Sequence, residues 1–362
     1  IAVELVANGQ RGRMMAIRDG RYAHSPLPSQ DDTAMSVDTE RLYDIERLRP
    51  RYSGLLGRPL MLGNSVDALD NPYAEPGGID RVTSESIRRI VGLWGILTAV
   101  GLVVLMVALA EPFQPDSFGP GHDARAYWSA PLDDPYVPGS VGQESAYLYS
   151  PAFIWALSPL RALSWPLFLG LWTGGLLVVL FWLARPLLFL PLLLLALPEI
   201  WGGNITILLA AAIVLGYSRP WAWAFPLLTK VTPGLGILWF AVRREWFNMG
   251  IAIAATLVVI AAVALFTPGL WADWFQLLQG STGSSTVAGS VPIPLVLRLP
   301  FAIALIMFAA WRDMRWLLPI GVLLAMPVIW WGSLALLTAS VALKRDDIEE
   351  RFDALLLLGF DH

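Results

Sequence analysis

The sequence has no cysteine, so disulfides and thiol chemistry are excluded and nothing in the chain reports its redox compartment. Histidine is nearly absent as well. His24, His122 and His362 lie too far apart to suggest a histidine-based metal site. Charge is the third scarcity: Asp, Glu, Lys and Arg make up 15% of the 362 residues, where soluble domains carry about 25%. With 56% hydrophobic residues and 17 Trp, and a mean hydropathy of +0.58, the chain reads as a polytopic membrane protein. Its net charge of −4 gives no support for a nucleic-acid partner. No basic-then-apolar signal peptide opens the sequence, and the first apolar run begins near Ile90. Ile1 stands where a complete chain has Met, as expected of a fragment.

Charge is densest in residues 1–90, a quarter of the chain that holds 25 of its 54 charged residues. A glycine-containing turn and short strands are predicted around 14–17 and 22–26, followed by an amphipathic stretch over 37–48. Residues 1–65, with the phrase GRMMAIRDGRYAHSPLP, resemble the C-terminal tail of bacterial phosphofructokinases. Neither the phosphate-binding glycine loop nor the catalytic aspartates of that family are present, so no activity is carried over. A fused remnant and a plain cytoplasmic extension both fit this small soluble α/β fragment. Residues 66–87, rich in Asn, Asp, Pro and Gly, read as a linker.

Residues 90–110 are almost uninterruptedly apolar, about the length that crosses a hydrocarbon core of ~30 Å. Arg81, Arg88 and Arg89 precede them and place that end, and the N-terminus, in the cytoplasm. The polar loop 111–150 then lies outside. Further apolar runs follow over 151–160, 165–183, 187–197, 205–215, 221–242, 251–266, 293–310, 316–326 and 328–343. Several are shorter than a full span, which predicts broken, tilted or re-entrant helices. The fold class is therefore all-α polytopic integral membrane, with roughly eight to ten membrane segments over residues 88–345. If each run crosses once, Arg161, Arg243, Arg244, Arg312, Arg315, Lys344 and Arg345 fall inside, Arg185 and Arg219 outside, and loop 267–292 joins loop 111–150 on the outer face. Residues 346–362 read as a cytoplasmic, interfacial amphipathic helix.

Chemistry-bearing residues are few. Asp123, just past the first apolar run, could take a proton from an attacking hydroxyl or could be a solvated residue or helix N-cap in GHDARAYW. Tyr127, one helical turn on, shares its face and suits either a sugar contact or an interfacial aromatic belt. Asp133, Asp134 and Glu144 could recruit a divalent cation, but Asp-Asp-Pro is also an ordinary turn. Lys230 interrupts an apolar run ahead of Pro233. An intramembrane cation faces a partner or a polar cavity, or snorkels to an interface. Arg298, near the outer end of its run, reads as snorkelling. Glu199 and Asn204, in PEIWGGNIT, mark either a pocket lining or a tight turn. Trp271, Asp273 and Trp274 precede a Gly/Ser-rich tract suited to a lid or a plain flexible loop.

The order of these features is more specific than any one of them. An outer Asp-x-x-x-Tyr-Trp (Asp123, Tyr127, Trp128) is followed by Tyr147-Leu148-Tyr149-Ser150-Pro151 and Pro159-Leu160. Gly203-Asn204 comes next, then Lys230-Val231-Thr232-Pro233, and then Arg243-Arg244-Glu245-Trp246. Over about 88–345 the chain resembles glycosyltransferase family 87, the polyprenol-phosphate-mannose-dependent mannosyltransferases of the C-type glycosyltransferase fold. It departs from the pattern at Ser150, where Pro is common, and at Asn204, where Gln is usual. The resemblance implies inverting transfer of a hexose, mannose above others, from a polyprenyl-phosphate sugar to a hydroxyl of a glycolipid, glycan or protein acceptor on the extracytoplasmic face of the inner (plasma) membrane. It implies Asp123 as general base, Lys230 opposite the leaving phosphate, and His122, Tyr127, Tyr149 and Asn204 around donor and acceptor. It implies no cofactor and no nucleotide; a divalent cation is not indicated. A transporter or lipid flippase, or an inactive truncated or fused membrane protein, are the competing readings. Asp123 and Lys230 at opposite ends of one outward cavity would favour transfer; Lys230 at mid-membrane beside a second polar helix would favour transport.

Overall fold

The computed structural model describes residues 13–18, 21–26, 43–44, 49–50, 79–111, 119–136, 146–281 and 290–359. The expectations for the amphipathic stretch 37–48 apart from 43–44, for the linker up to residue 78, for Glu144 and for the Gly/Ser tract over 282–289 lie outside the described residues. Two units are present, Ile1–Ile87 with Glu350–His362, and Arg88–Glu349. In the first, β1 (Arg13–Arg18) pairs antiparallel with β2 (Arg21–Pro26), from Arg13 opposite Pro26 to Arg18 opposite Arg21. These strands fall on the two segments read as strands from the sequence. A two-residue pair, β3 (Tyr43–Asp44) and β4 (Arg49–Pro50), follows.

The helices are α1 (Ile79–Ala108), α2 (His122–Ser129), α3 (Pro151–Arg161), α4 (Trp165–Gly202), α5 (Thr206–Gly216), α6 (Ala224–Thr229), α7 (Leu238–Val242), α8 (Trp246–Ala264), α9 (Pro268–Ser281), α10 (Leu295–Trp311), α11 (Leu318–Leu324), α12 (Leu337–Ala342) and α13 (Arg345–Gly359), with 3₁₀ turns ahead of α6, α7, α11 and α12. Among the described residues three helices are long and apolar enough to cross a membrane: Ser86–Ala108, Trp165–Gly202 and Trp246–Ala264. The remaining apolar runs fold as shorter pieces, such as Thr206–Gly216 and Leu295–Trp311. The eight to ten segments expected are thus three helices of spanning length and a set of shorter ones. Large apolar side chains on α1 (Ile90, Leu93, Trp94, Leu97) and α8 (Phe247, Leu257, Val258) stay exposed, an apolar area that suits contact with lipid.

Proline dictates where helices break. α4, with 38 residues, would run about 57 Å if straight, but Arg185 leaves helical geometry at φ 56°, ψ 172°. Pro186 follows, and a proline bars its predecessor from helical backbone angles and offers no N–H to the ladder. The two runs read at 165–183 and 187–197 are therefore two arms of one kinked helix. α3, by contrast, opens with Pro151 at its first position, where the missing N–H costs nothing.

Contacts within the larger unit sort its loops to two ends. At one end Arg88 pairs with Glu349 (2.9 Å), and Arg185 with Asp346 (2.9 Å) and Glu349 (3.6 Å). Arg345 donates to the Trp182 carbonyl, Lys344 lies over Trp316, Arg243 pairs with Asp313, and the Tyr217 hydroxyl donates to the Arg315 carbonyl. At the other end Gly121 N–H donates to Trp201 O (2.7 Å), Trp274 to Leu148 O, and Val291 N–H to Ile329 O. Three expectations are corrected. Arg185 sits at the basic end with Arg88, and Arg161 at the opposite end, where it donates to the Trp128 and Ala130 carbonyls. The cause is α3: eleven residues rise only about 16 Å, so this apolar run does not cross; the run 221–242, broken at Lys230 into α6 and α7, then returns to the end it left, so Arg243 and the later basic residues keep the side expected of them. Arg219, two residues after Tyr217, moves to the basic end with it.

Arg298 does not snorkel. It is 4% exposed, and its guanidinium donates to the carbonyls of Ile293 (2.8 Å), Leu324 (2.8 Å), Met326 (2.9 Å) and Pro327 (3.0 Å). It clasps the end of α11 to the start of α10.

Candidate active site

The site forms where the N-terminus of α2 meets the C-terminus of α4. Gly203 ends α4 in the left-handed conformation (φ 71°), its N–H and that of Asn204 both turned to the Glu199 carbonyl. This αL stop is the ordinary use of glycine at a helix end, and here close approach demands it too: a Cβ on Gly203 would stand 2.7 Å from the Ala124 Cβ of α2. α2 is thereby pressed onto the turn 202–205, and Asp123, in its first turn, faces Asn204. Asp123 is not the N-cap; Gly121 holds that position.

Asn204 is the hub. Its Nδ2 donates to Asp123 Oδ2 at 2.9 Å. Its Oδ1 accepts from the Ile205 N–H (2.7 Å), from Lys230 Nζ (3.3 Å) and from the Tyr149 hydroxyl (3.4 Å). Asp123, Asn204 and Lys230 are all partly exposed, so the carboxylate and the ammonium lie side by side at an accessible surface, joined through one amide. Asp123 meets that amide through Nδ2 and Lys230 through Oδ1. Lys230 follows α6, and the next residue, Val231, has φ 28°. A β-branched residue there is strained, and such strain gathers at functional sites.

An aromatic wall backs this cluster. Tyr127 is 1% exposed; its hydroxyl lies 3.1 Å from that of Tyr149, and its ring meets Tyr149, Phe153 and Trp172 edge-on. The belt alternative for Tyr127 is thus set aside. Burial, then the neighbouring Tyr149 hydroxyl and the Asp123 charge, push the Tyr127 hydroxyl well above its ordinary pKa; burial and Asp123 do the same to Tyr149. Both remain protonated at any physiological pH, fixed as neutral donors. Trp172 donates to Gly203 O at 2.7 Å, tying the first arm of α4 to the end of its second. Tyr136 donates to Tyr149 O and Tyr147 to Ser150 O. Arg125 lies between the rings of Trp128 and Trp165, within 4.8 Å of each, which fixes α2 against α4.

His122 opens α2 beside Asp123 and is partly exposed. Asp133 and Asp134 are exposed. Trp271 and Trp274 are buried on α9 while Asp273 is exposed, so the first half of the expected lid is an ordered helix seated on Leu148. Among the described residues no group of three or more His, Asp or Glu side chains could hold a metal ion. Glu199, read in the sequence as either pocket lining or part of a tight turn, is 5% exposed behind Asn204, and its Oε1 accepts the Thr206 N–H at 2.7 Å. The available signal was its spacing, five residues before Asn204 on an otherwise apolar arm.

The family model for glycosyltransferase family 87 matches residues 147–358. Tyr149, Glu199, Asn204 and Lys230 lie inside that stretch; Asp123 and Tyr127 precede it and reach it through their contacts with Asn204 and Tyr149. No curated protein and no solved structure matches the chain. With more than half its length matched, the chain belongs to glycosyltransferase family 87, and it is a membrane glycosyltransferase.

Proposed function

We propose that this family 87 chain moves a hexose, mannose above others, from a polyprenyl-phosphate sugar to the hydroxyl of a glycolipid, glycan or protein acceptor, with inversion at the anomeric carbon. The observation that carries the proposal is the Asn204 bridge, which sets a partly exposed carboxylate and an ammonium side by side. Asp123 takes the acceptor proton as the acceptor oxygen bonds to the anomeric carbon, and the bond from that carbon to the phosphate oxygen breaks. The polyprenyl phosphate leaves with the electron pair, and Lys230 offsets the charge that develops on it, an electrostatic contribution often large in catalysis. Tyr149 and Asn204 hold the carboxylate and the ammonium in register, Tyr127 backs Tyr149 from the buried side, and His122 flanks the sugar. No metal or cofactor is assigned to this chemistry.

In this reading residues 88–345 form the transferase domain, 111–150 its catalytic outer loop, 66–87 a linker and 346–362 an interfacial tail. Residues 1–65 are a soluble, phosphofructokinase-tail-like segment without a catalytic part. The basic end, with Arg88, Arg185, Arg243, Arg315 and Arg345, faces the cytoplasm of an inner membrane by the positive-inside bias, so the N-terminus is cytoplasmic and the site opens on the extracytoplasmic face. The direct test supplies membranes containing the chain with labelled mannose on polyprenyl phosphate or on a nucleotide. Label should pass to acceptor from the lipid donor alone. Transfer from the nucleotide sugar, with none from the lipid, would overturn the proposal.

A further inference from the structure

The Asp123 carboxylate is held through one oxygen. Oδ2 accepts the Asn204 amide at 2.9 Å, and among the described residues no group donates to Oδ1. The same Oδ2 lies against Gly202, the last residue of α4. A Cβ on Gly202 would stand 3.1 Å from Oδ2 and 3.9 Å from Cγ. Apart from its own helix backbone and chain neighbours, no other atom of the described residues would lie within 4 Å of it. Gly202 keeps helical backbone angles, unlike Gly203, whose φ is positive. Backbone conformation therefore does not call for glycine at 202, where alanine is the better helix former. What does call for it is the carboxylate. A 3.1 Å approach is tighter than ordinary van der Waals contact, so a neighbour would have to yield. The backbone on both sides is tied down. Trp201 O accepts the Gly121 N–H (2.7 Å), and Glu199 O accepts those of Gly203 (2.9 Å) and Asn204 (3.1 Å). Gly203 O accepts the Trp172 indole at 2.7 Å. The part free to turn is the Asp123 side chain, and turning it stretches the bond to Asn204.

We infer that Gly202 is a positioning residue for the base: its bare α-carbon seats Asp123 on Asn204 through Oδ2 and leaves Oδ1 to take the acceptor proton. The inference rests on the role of Asp123 proposed above. Gly203 shapes the turn and Gly202 makes room for the reacting group, so the two adjacent glycines serve different ends.

The test uses the full chain in lipid discs and labelled polyprenyl-phosphate mannose, with wild type, Gly202→Ala, Asp123→Asn and the double variant. The added methyl group touches the carboxylate and displaces it by a few tenths of an ångström. Misplacing a reacting group by 1 Å can slow a reaction about 10²-fold, so kcat in Gly202→Ala falls about ten-fold. KM for the lipid donor stays at the wild-type value, because Lys230 and its bond to Asn204 Oδ1 are untouched. The melting temperature equals or exceeds that of wild type, since alanine favours the helix. In the Asp123→Asn background the same change lowers kcat no further. A kcat equal to wild type in Gly202→Ala, or the same loss with and without Asp123, would overturn the inference. So would a melting temperature that drops along with kcat, the mark of a merely structural glycine. If Asp123→Asn itself transfers like wild type, the base assignment falls and takes the inference with it. If Asp123→Asn is impaired while Gly202→Ala is not, the inference falls alone.

Discussion

Tyr127 shows what a single buried hydroxyl does here. Its position one turn after Asp123, on the same face of a short helix, was readable from spacing alone, as was the oddity of Lys230 in an apolar run. What spacing could not show is that Tyr127 is walled in by Tyr149, Phe153 and Trp172, because those partners come from distant segments. Nor could it show that Asn204 would touch both charged groups, or that Glu199, a lone carboxylate on an apolar arm, would face inward rather than mark a turn. The elevated pKa of Tyr127 has a consequence for stability. An unfolded tyrosine ionises near pH 10, while the buried one resists, so its contribution is fully present below about pH 10 and is lost as pH rises beyond it. Thermal unfolding of the purified chain between pH 8 and 11 should therefore show an alkaline fall that is shallower in Tyr127→Phe. That variant should also lose about 1 kcal/mol at neutral pH with the Tyr149 hydrogen bond. Parallel pH curves for the two proteins would contradict this account of the hydroxyl.

At the scale of elements, the breaks matter more than the spans. Proline marked them legibly, and the interruption at Arg185–Pro186 fell where two apolar runs had been separated. The misreading was α3, whose apolar composition resembled a crossing although its eleven residues are too few for one. Composition registers what an element is surrounded by, and a helix buried in protein is as apolar as one in lipid. Arg298 escaped the sequence for a related reason: an arginine near the end of an apolar run usually reaches outward, whereas this one satisfies four carbonyls freed where helices stop. Replacing it by methionine should lower stability by about 2–4 kcal/mol as those carbonyls lose their donor. A denaturation series in detergent measures this. A midpoint equal to wild type would show that water or lipid takes over the carbonyls and that the clasp is dispensable.

Across the whole molecule, the family's motifs were read as an ordered series of short phrases, and the family match over residues 147–358 supports the family they pointed to. The phrases holding Asp123, Tyr149, Asn204 and Lys230 come together at one end of the larger unit, while the phrase with Arg243 lies among the arginine pairs at the other. The account's central claim is that this cluster is where a sugar changes partner. The most direct measurement is sugar transfer from labelled polyprenyl-phosphate mannose in membranes containing equal amounts of wild type and Asp123→Asn. The amide is nearly isosteric and can still hydrogen-bond to Asn204, so the fold and donor affinity should persist while transfer falls by about 10²–10⁴-fold, the usual contribution of a general base. Undiminished transfer by Asp123→Asn would contradict the claim.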